Sequence, residues 1–274
     1  MKTSKQSAID YGNWVPVKML KMSGTISIVL ICLGILLLTP LMAFWHTPIK
    51  LFAGVLLLVI GIGIGAVWSY FYYCHQLFDY RKKHQIQKKI LLFVLSFINK
   101  EKTFHGEILD IGCGSGALSI RTAKTFWNAH ITGVDYWGSE WDYAQKQCEK
   151  NALTEGVSQR VRFLKGDAAK LEFADETFDG AVSNFVFHEV NTQPNKRLVV
   201  WEALRVIKKG GFFVFHDLFL EQKLYGNMEE FLEELREKGI TKVEIKYTND
   251  EMNLPGALKT GFMLGKTAVI YGIK

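Results

Sequence analysis

The residues best equipped for chemistry are three glycines and an acid. From Glu107 to Ile120 the chain reads EILDIGCGSGALSI, so Gly112, Gly114 and Gly116 fall within five residues, directly behind an apolar run that contains Asp110. A loop of this kind, between a buried strand and the start of a helix, leaves backbone N–H groups free to meet a ligand. Gly112, Gly114 and Ala117 also fit the dinucleotide template G-x-G-x-x-G/A, and Asp135, nineteen residues after Gly116, stands where an acid takes a ribose. A nicotinamide or flavin oxidoreductase is therefore one reading. Asp110 weighs against it, because an anion two residues before the first glycine suits a ligand with a positive amino acid end better than a pyrophosphate. A second glycine cluster, Gly61, Gly63 and Gly65 in GIGIGAVW, lies inside a run without charge. A phosphate there has neither water nor countercharge, so these are read as packing glycines, with Gly61 and Gly65 forming a small-x-x-x-small pair for close helix approach.

The elements that must position the loop follow from hydrophobic patterning. From about residue 84 helix and strand signals alternate: IQKKILLFVLSFI as an amphipathic helix, GEILDIGCG as the first strand, AHITGVDY as the second, SEWDYAQKQCEKNALTEG as a helix ending at Gly156, VRFLKGDA as the third strand and FDGAVSNF as the fourth. Pro194 opens a further helix, GGFFVFHD is the fifth strand, and KVEIKYT and TAVIYGIK are the sixth and seventh. Such alternation predicts a doubly wound α/β sheet, in which ligands bind at the carboxyl ends of the strands.

ILDIGCGSG, Asp135 after the second strand, GDA after the third, FDGAVSNFVFHEV at the fourth and ALRVIKKGGFFVFHD into the fifth resemble the class I S-adenosylmethionine-dependent methyltransferases over roughly residues 85–274. The resemblance implies a seven-stranded Rossmann-like sheet ending in an antiparallel pair, and S-adenosylmethionine as cofactor. It also implies site roles. Asp110 and the loop Gly112–Gly116, including Cys113 and Gly114, would hold the methionine portion, and Asp135 would bridge the ribose hydroxyls with Tyr136 beside it. Asp167 would accept from the adenine amino group, Ala168 would offer its backbone, and Ser183 would close the set at the fourth strand. KKGG stands where the family commonly has KPGG, a change expected in a solvent-side turn.

Methyl transfer from a sulfonium is an in-line displacement, so the protein mainly aligns the reactants and excludes water. The acceptor pocket is expected after the fourth and fifth strands, walled by Phe185, Phe187, Phe215 and Phe219. No [Asp/Asn]-Pro-Pro-aromatic tetrad and no Pro-Cys pair follows the fourth strand, which removes the usual nucleic-acid and amide N-methylation signatures. His188 and the pair His216–Asp217 are the groups there able to take a proton from an acceptor. No metal site is assembled from the sequence.

Upstream, Thr25–Trp45 and Leu51–Tyr73 are uncharged runs of 21 and 23 residues, each long enough for ~30 Å of hydrocarbon. They predict a two-helix transmembrane hairpin turning at His46–Pro48, with Trp45, Trp68, Tyr70, Tyr72 and Tyr73 at the interfaces. Residues 1–24 carry a balance of +3, residues 75–102 of +5 and the turn +1, leaving −3 of the whole-chain +6 on residues 103–274. Both ends are therefore expected on the cytoplasmic side of the cell membrane. The basic stretch YRKKHQIQKK then faces anionic headgroups rather than nucleic acid. The four cysteines form neither a metal spacing nor a disulfide framework. The expected organisation is a cytoplasmic segment 1–24, the hairpin 25–74, a basic linker and amphipathic helix 75–100, and a methyltransferase domain 101–274 that binds cofactor even without residues 1–75. The acceptor is expected to be small or lipophilic, such as a lipid, quinone or isoprenoid-like molecule. Gly61 and Gly65 admit the first span or a second copy of the chain, and a membrane scaffold or sensor without turnover is the alternative function.

Overall fold

The computed structural model describes residues 9–39, 47–138 and 144–274, and the chain divides into two units. One holds Asn13–Gln87; the other holds Lys88–Lys274 together with residues 9–12 of the described chain.

The first unit is a pair of helices, α1 (Val17–Leu38) and α2 (Thr47–Phe78). Their bounds differ from the apolar runs for identifiable reasons. α1 stops at Leu38 because Pro40 follows: the residue before a proline is driven out of the helical region, and Thr39 is extended at φ −80°, ψ 157°. α1 also begins eight residues earlier than the uncharged run, taking in Lys18 and Lys21, because a helix need not end where its apolar stretch does. Thr47 and Pro48, expected in the turn, open α2 instead, with Pro48 in the first turn where a missing N–H costs nothing. Trp45 and His46 lie outside the described residues.

Small residues let the two helices touch. Ser27 Oγ donates to Gly61 O at 2.7 Å, a Cβ on Gly61 would come within 2.8 Å of Ile31 Cγ1, and one on Gly34 within 2.9 Å of Gly54 O. Gly65 meets Ser27, whereas Gly63 faces open space and is not a packing glycine in this pair. Trp68 Nε1 donates to Leu20 O at 2.9 Å. Both helices are long and apolar enough to cross a membrane, and only 17% and 11% of their most apolar windows is buried. Ile28, Ile35, Phe52, Val59 and Ile62 are exposed, which is unlike the core hairpin of a water-soluble fold.

The second unit opens with most of α3 (Ile86–Ser96), so the expected linker 75–100 is in part domain. A seven-stranded sheet follows in the order β3-β2-β1-β4-β5-β7-β6, formed by β1 (Glu107–Ile111), β2 (His130–Asp135), β3 (Val161–Lys165), β4 (Phe178–Asn184), β5 (Ile207–Asp217), β6 (Lys242–Tyr247) and β7 (Ala268–Ile273). β1 to β5 run parallel, and β7 enters antiparallel between β5 and β6. The helices α4 (Ala117–Thr125), α5 (Gln145–Thr154), α6 (Lys196–Arg205) and α8 (Met228–Glu237) and the short α7 (Gln222–Tyr225) and α9 (Thr248–Glu251) complete it. The forecast helix beginning at Ser139 reaches into residues outside the description, and among the described residues it holds α5. Lys208–Gly211, expected as a turn, is drawn into β5 beside an irregularity in its pairing with β4.

Apolar side chains of β1, β4 and β5 meet those of α6 and α8 in the main core, where Leu109, Ala181, Val199, Phe213, Phe215 and Phe231 are fully buried. Strand order reverses between β1 and β4, so the crevice for a ligand opens where those strands end.

Candidate cofactor and acceptor site

Asp110, on the inner strand β1, pairs with Gly133 of β2 and Val182 of β4. The chain leaves β1 through N–H groups of Gly112 and Cys113 that both donate to Val134 O, at 2.7 and 3.0 Å. Gly112 has φ +71°, and a Cβ there would lie 2.1 Å from Val186 Cγ2, so the position accepts glycine alone. Gly116 caps α4 in the left-handed region at φ 80°. Between them Gly114 N–H donates to Asp135 Oδ2 at 2.8 Å, and Gly114 O accepts from Trp137 Nε1 at 2.9 Å and Cys148 Sγ at 3.0 Å.

Beneath this loop Asp110 is buried. Ser119 Oγ donates to its Oδ2 at 2.5 Å, while Oδ1 has no hydrogen-bond partner in the protein. Burial pushes the carboxyl up to about 7, against the Ser119 hydrogen bond and with a further push from the Asp135 charge. A buried acid with an empty lone pair is a costly arrangement unless a cationic group joins it.

Asp135 ends β2, its Oδ1 accepting from Trp137 N–H at 2.8 Å, and burial raises its carboxyl against three backbone N–H bonds. Tyr136 is exposed, with the Lys165 ammonium 5.6 Å from its ring centre. Asp167 Oδ1 accepts from Ala169 N–H at 2.8 Å, closing a turn beside buried Ala168. Ser183 is buried and its hydroxyl donates to Ile111 O at 2.9 Å, so it ties β4 to β1. Cys113 is buried; burial and the neighbouring Cys148 thiol keep its own thiol protonated, which suits a space-filling residue.

At the ends of β4 and β5 a second cluster forms around Asp217. Its Oδ2 accepts backbone N–H groups of Val186 at 3.0 Å and Phe187 at 2.8 Å, and its Oδ1 accepts from Leu218 N–H at 2.6 Å. His188 Nδ1 lies 2.7 Å from Asp217 Oδ1, and its Nε2 lies 3.3 Å from Glu189 Oε1. Burial alone would depress this imidazole, but the two carboxylates reverse that and push it up to about 10. At neutral pH His188 is thus an imidazolium that already holds the proton it was expected to accept. His216 differs. It is fully buried with Nδ1 at 2.8 Å from Asn184 Oδ1 and Nε2 at 2.9 Å from Thr248 Oγ1. Burial, against the pull of the Asp217 charge and with a further push from the His188 imidazolium, lowers it to about 4. Phe185, at φ 58°, stands edge-on to both histidines, with ring centres 4.8 Å from His216 and 6.1 Å from His188. Phe187, Phe215 and Phe219 are core residues.

Sequence reasoning missed Ser119, Glu189 and the 20 residues joining β6 to β7, which leave and rejoin the sheet level with Asp217 through Tyr247 and Ala268. Ser119 was discoverable, since it is the third residue of α4, in the first turn and so below the loop. Among the described residues no group of His, Cys, Asp and Glu could hold a metal ion.

Residues 109–215 match the family profile described as a methyltransferase domain. The chain is 34% identical over 107 residues to a sterol 24-C-methyltransferase of Neurospora crassa, covering 39% of this chain and 26% of the relative. It is 30% identical over 122 residues to a ubiquinone/menaquinone biosynthesis C-methyltransferase of Bartonella henselae, covering 44% of each. The match therefore spans less than half of either relative. Among solved structures, the [4+2]-cyclase SpnF superimposes with a TM-score of 0.51 at 20% identity, covering 72% of this chain and 85% of that one, a likeness of fold. The glycine cradle and the unpartnered Asp110 fit a cofactor with an ammonium end, and an anionic pyrophosphate beside the Asp110 carboxyl would meet like charge. With the seven-stranded sheet, the match over residues 109–215 identifies that part of the chain as a methyltransferase domain of the class I S-adenosylmethionine-dependent type.

Proposed function

We propose that the protein is a membrane-anchored methyltransferase that acts on a small or lipophilic acceptor, of lipid, quinone or isoprenoid-like type. The observation that carries the chemistry is the unpartnered Oδ1 of buried Asp110 beneath the glycine loop. Asp110 would hold the amino group of the methionine portion, Asp135 the ribose hydroxyls, and Asp167 with Ala168 the adenine. Tyr136 would flank the ribose, while Gly112, Gly114 and Gly116 keep the loop open to the cofactor. When bound, S-adenosylmethionine supplies an electrophilic methyl group on a sulfonium. This chain's residues orient the acceptor and exclude water. His188, held by Asp217 through Nδ1, would donate from Nε2 to an acceptor oxygen that takes the place of Glu189. His216 positions the end of β5 through Asn184 and Thr248.

Exposed apolar α1 and α2 support anchoring, and the basic residues flanking them support a cytoplasmic placement of the N-terminus and the domain at the cell membrane. The names of the sterol and quinone relatives support a lipophilic acceptor. A second reading, cofactor binding without turnover in a scaffold or sensor, is favoured by the protonated state of His188. The two part in one experiment, in which purified full-length protein is incubated with methyl-labelled S-adenosylmethionine and a total lipid extract. Label entering the organic phase supports transfer to a lipophilic acceptor, and cofactor binding with no label in any fraction supports the second reading.

A further inference from the structure

Residues 9–12 precede the first apolar helix, yet they belong to the methyltransferase unit. Tyr11 is buried at 4% exposure. Its carbonyl accepts from Ser115 Oγ at 2.9 Å, and its phenol donates to Glu155 Oε1 at 3.0 Å. Asp10 is gripped from α5: its N–H donates to Asn151 Oδ1 at 3.0 Å, and its carbonyl accepts from Asn151 Nδ2 at 2.6 Å and Gln147 Nε2 at 2.7 Å. Asn151 Nδ2 lies also 3.1 Å from Ser115 O. Ser115 belongs to the loop Gly112–Gly116, and both Ser115 and Asn151 are buried.

We infer that Asp10 and Tyr11 form a strap that positions the cofactor loop, making this N-terminal stretch part of the cofactor site rather than a tail. A loop with three glycines at positive φ has little stiffness of its own. Its apex residue, Ser115, bonds through both hydroxyl and carbonyl to the strap and to the asparagine that grips the strap. Without the strap, a buried hydroxyl and a buried amide lose partners, and burial without a partner is costly enough to make the loop rearrange. The loop would then have to be reordered when cofactor binds, and that ordering weakens affinity. The strap touches no acceptor-side residue described above, so its effect falls on cofactor binding. The inference rests on S-adenosylmethionine being the ligand of the loop.

The test uses full-length protein in detergent with three variants: Tyr11→Ala, Tyr11→Phe and Ser115→Ala. Calorimetric titration with S-adenosylhomocysteine is expected to show binding about tenfold weaker for Tyr11→Ala, which removes the buried ring that seats the strap, and for Ser115→Ala, which removes the buried hydrogen bond to the Tyr11 carbonyl. Tyr11→Phe keeps the packing and the backbone bond and should stay within about threefold of the unmodified protein. In turnover, Tyr11→Ala raises KM for S-adenosylmethionine while kcat at saturating cofactor holds. Hydrogen exchange at the loop amides should quicken in the cofactor-free Tyr11→Ala variant. If Tyr11→Ala does not fold, Gln147→Ala, which loosens Asp10 from α5 without touching the loop, is titrated in its place and should also bind more weakly. Unchanged cofactor affinity in a folded variant, even with a lowered melting temperature, makes the strap merely structural and overturns the inference. If the unmodified protein does not bind S-adenosylhomocysteine, the cofactor reading falls and takes the strap with it.

Discussion

Replacing Asp110 by Asn should stabilise the empty domain and destroy its ligand binding, two opposite effects of one atom. In the folded chain the Asp110 carboxyl rises from an ordinary 3.8 to about 7, chiefly through burial. A carboxyl raised on folding imposes no penalty below its unfolded value. The penalty then grows as pH climbs from about 4 to 7 and stays constant above that. Three pH units at about 1.4 kcal/mol each put the penalty near ~4 kcal/mol at pH 8, and Asn, which cannot ionise, avoids it. Cofactor-free Asp110→Asn should therefore unfold at a higher denaturant midpoint than the unmodified protein at pH 8 and at a similar one at pH 4.5. Binding runs the other way. An ammonium group needs the ionised carboxylate, so affinity for S-adenosylhomocysteine should be flat above about pH 7.5 and weaken about tenfold per unit below pH 7. Titration at pH 6 in buffers of different ionisation enthalpy should show release of about one proton per ligand. Asp110→Asn should bind at least about a hundredfold more weakly, as expected when a buried charge pair loses one member. PH-independent affinity between pH 6 and 8, with no proton release, refutes the assignment of Asp110 to the cofactor's amino group.

The other predictions concern separate parts of the site. His188→Ala should lower kcat about 10²–10⁴-fold with cofactor affinity unchanged, and Asp135→Ala should do the reverse, with weakened cofactor binding its main defect. Because His188 is held near 10 by its carboxylates, activity that depends on its proton should persist to pH 9 and fall as pH passes about 10; a rise through pH 6–7 would instead mark it as a base. His216, lowered to about 4 by burial, contributes stability above pH 6.5 that is lost as pH falls toward 4, so His216→Gln should flatten that limb of the stability curve. A reporter at either terminus should prove cytoplasmic, and a tag between His46 and Lys50 should be reachable from outside; the opposite labelling removes the domain from its cofactor.

How legible each feature was depended on how local its cause is. Asp110, the loop glycines and Asp135 lie at strand ends that hydrophobic runs reveal, and their types follow from backbone geometry within ten residues. The antiparallel β7 was reachable only through the resemblance, because nothing in TAVIYGIK states its direction. Pro40 was visible and did end α1, but the apolar run outweighed it in the reading. Pairings across the fold were not legible. Asp217 and His188 lie 29 residues apart, and Glu189 closes on the imidazole only because Val186 and Phe187 wrap the same carboxylate. A single sequence could therefore nominate His188 but not its charge. The strap is more distant still, with 104 residues between Tyr11 and Ser115. It alters the expectation that removing residues 1–75 leaves a cofactor-binding domain, since that deletion takes Asp10 and Tyr11 with it.

The central claim is that the loop Gly112–Gly116 and Asp110 hold S-adenosylmethionine and not a dinucleotide. Its most direct measurement is a pair of calorimetric titrations of the full-length protein at pH 8, one with S-adenosylhomocysteine and one with NADH. The account predicts one-to-one binding of S-adenosylhomocysteine that Gly114→Val abolishes, with no heat from NADH. Tight binding of NADH, with no response to S-adenosylhomocysteine, contradicts it.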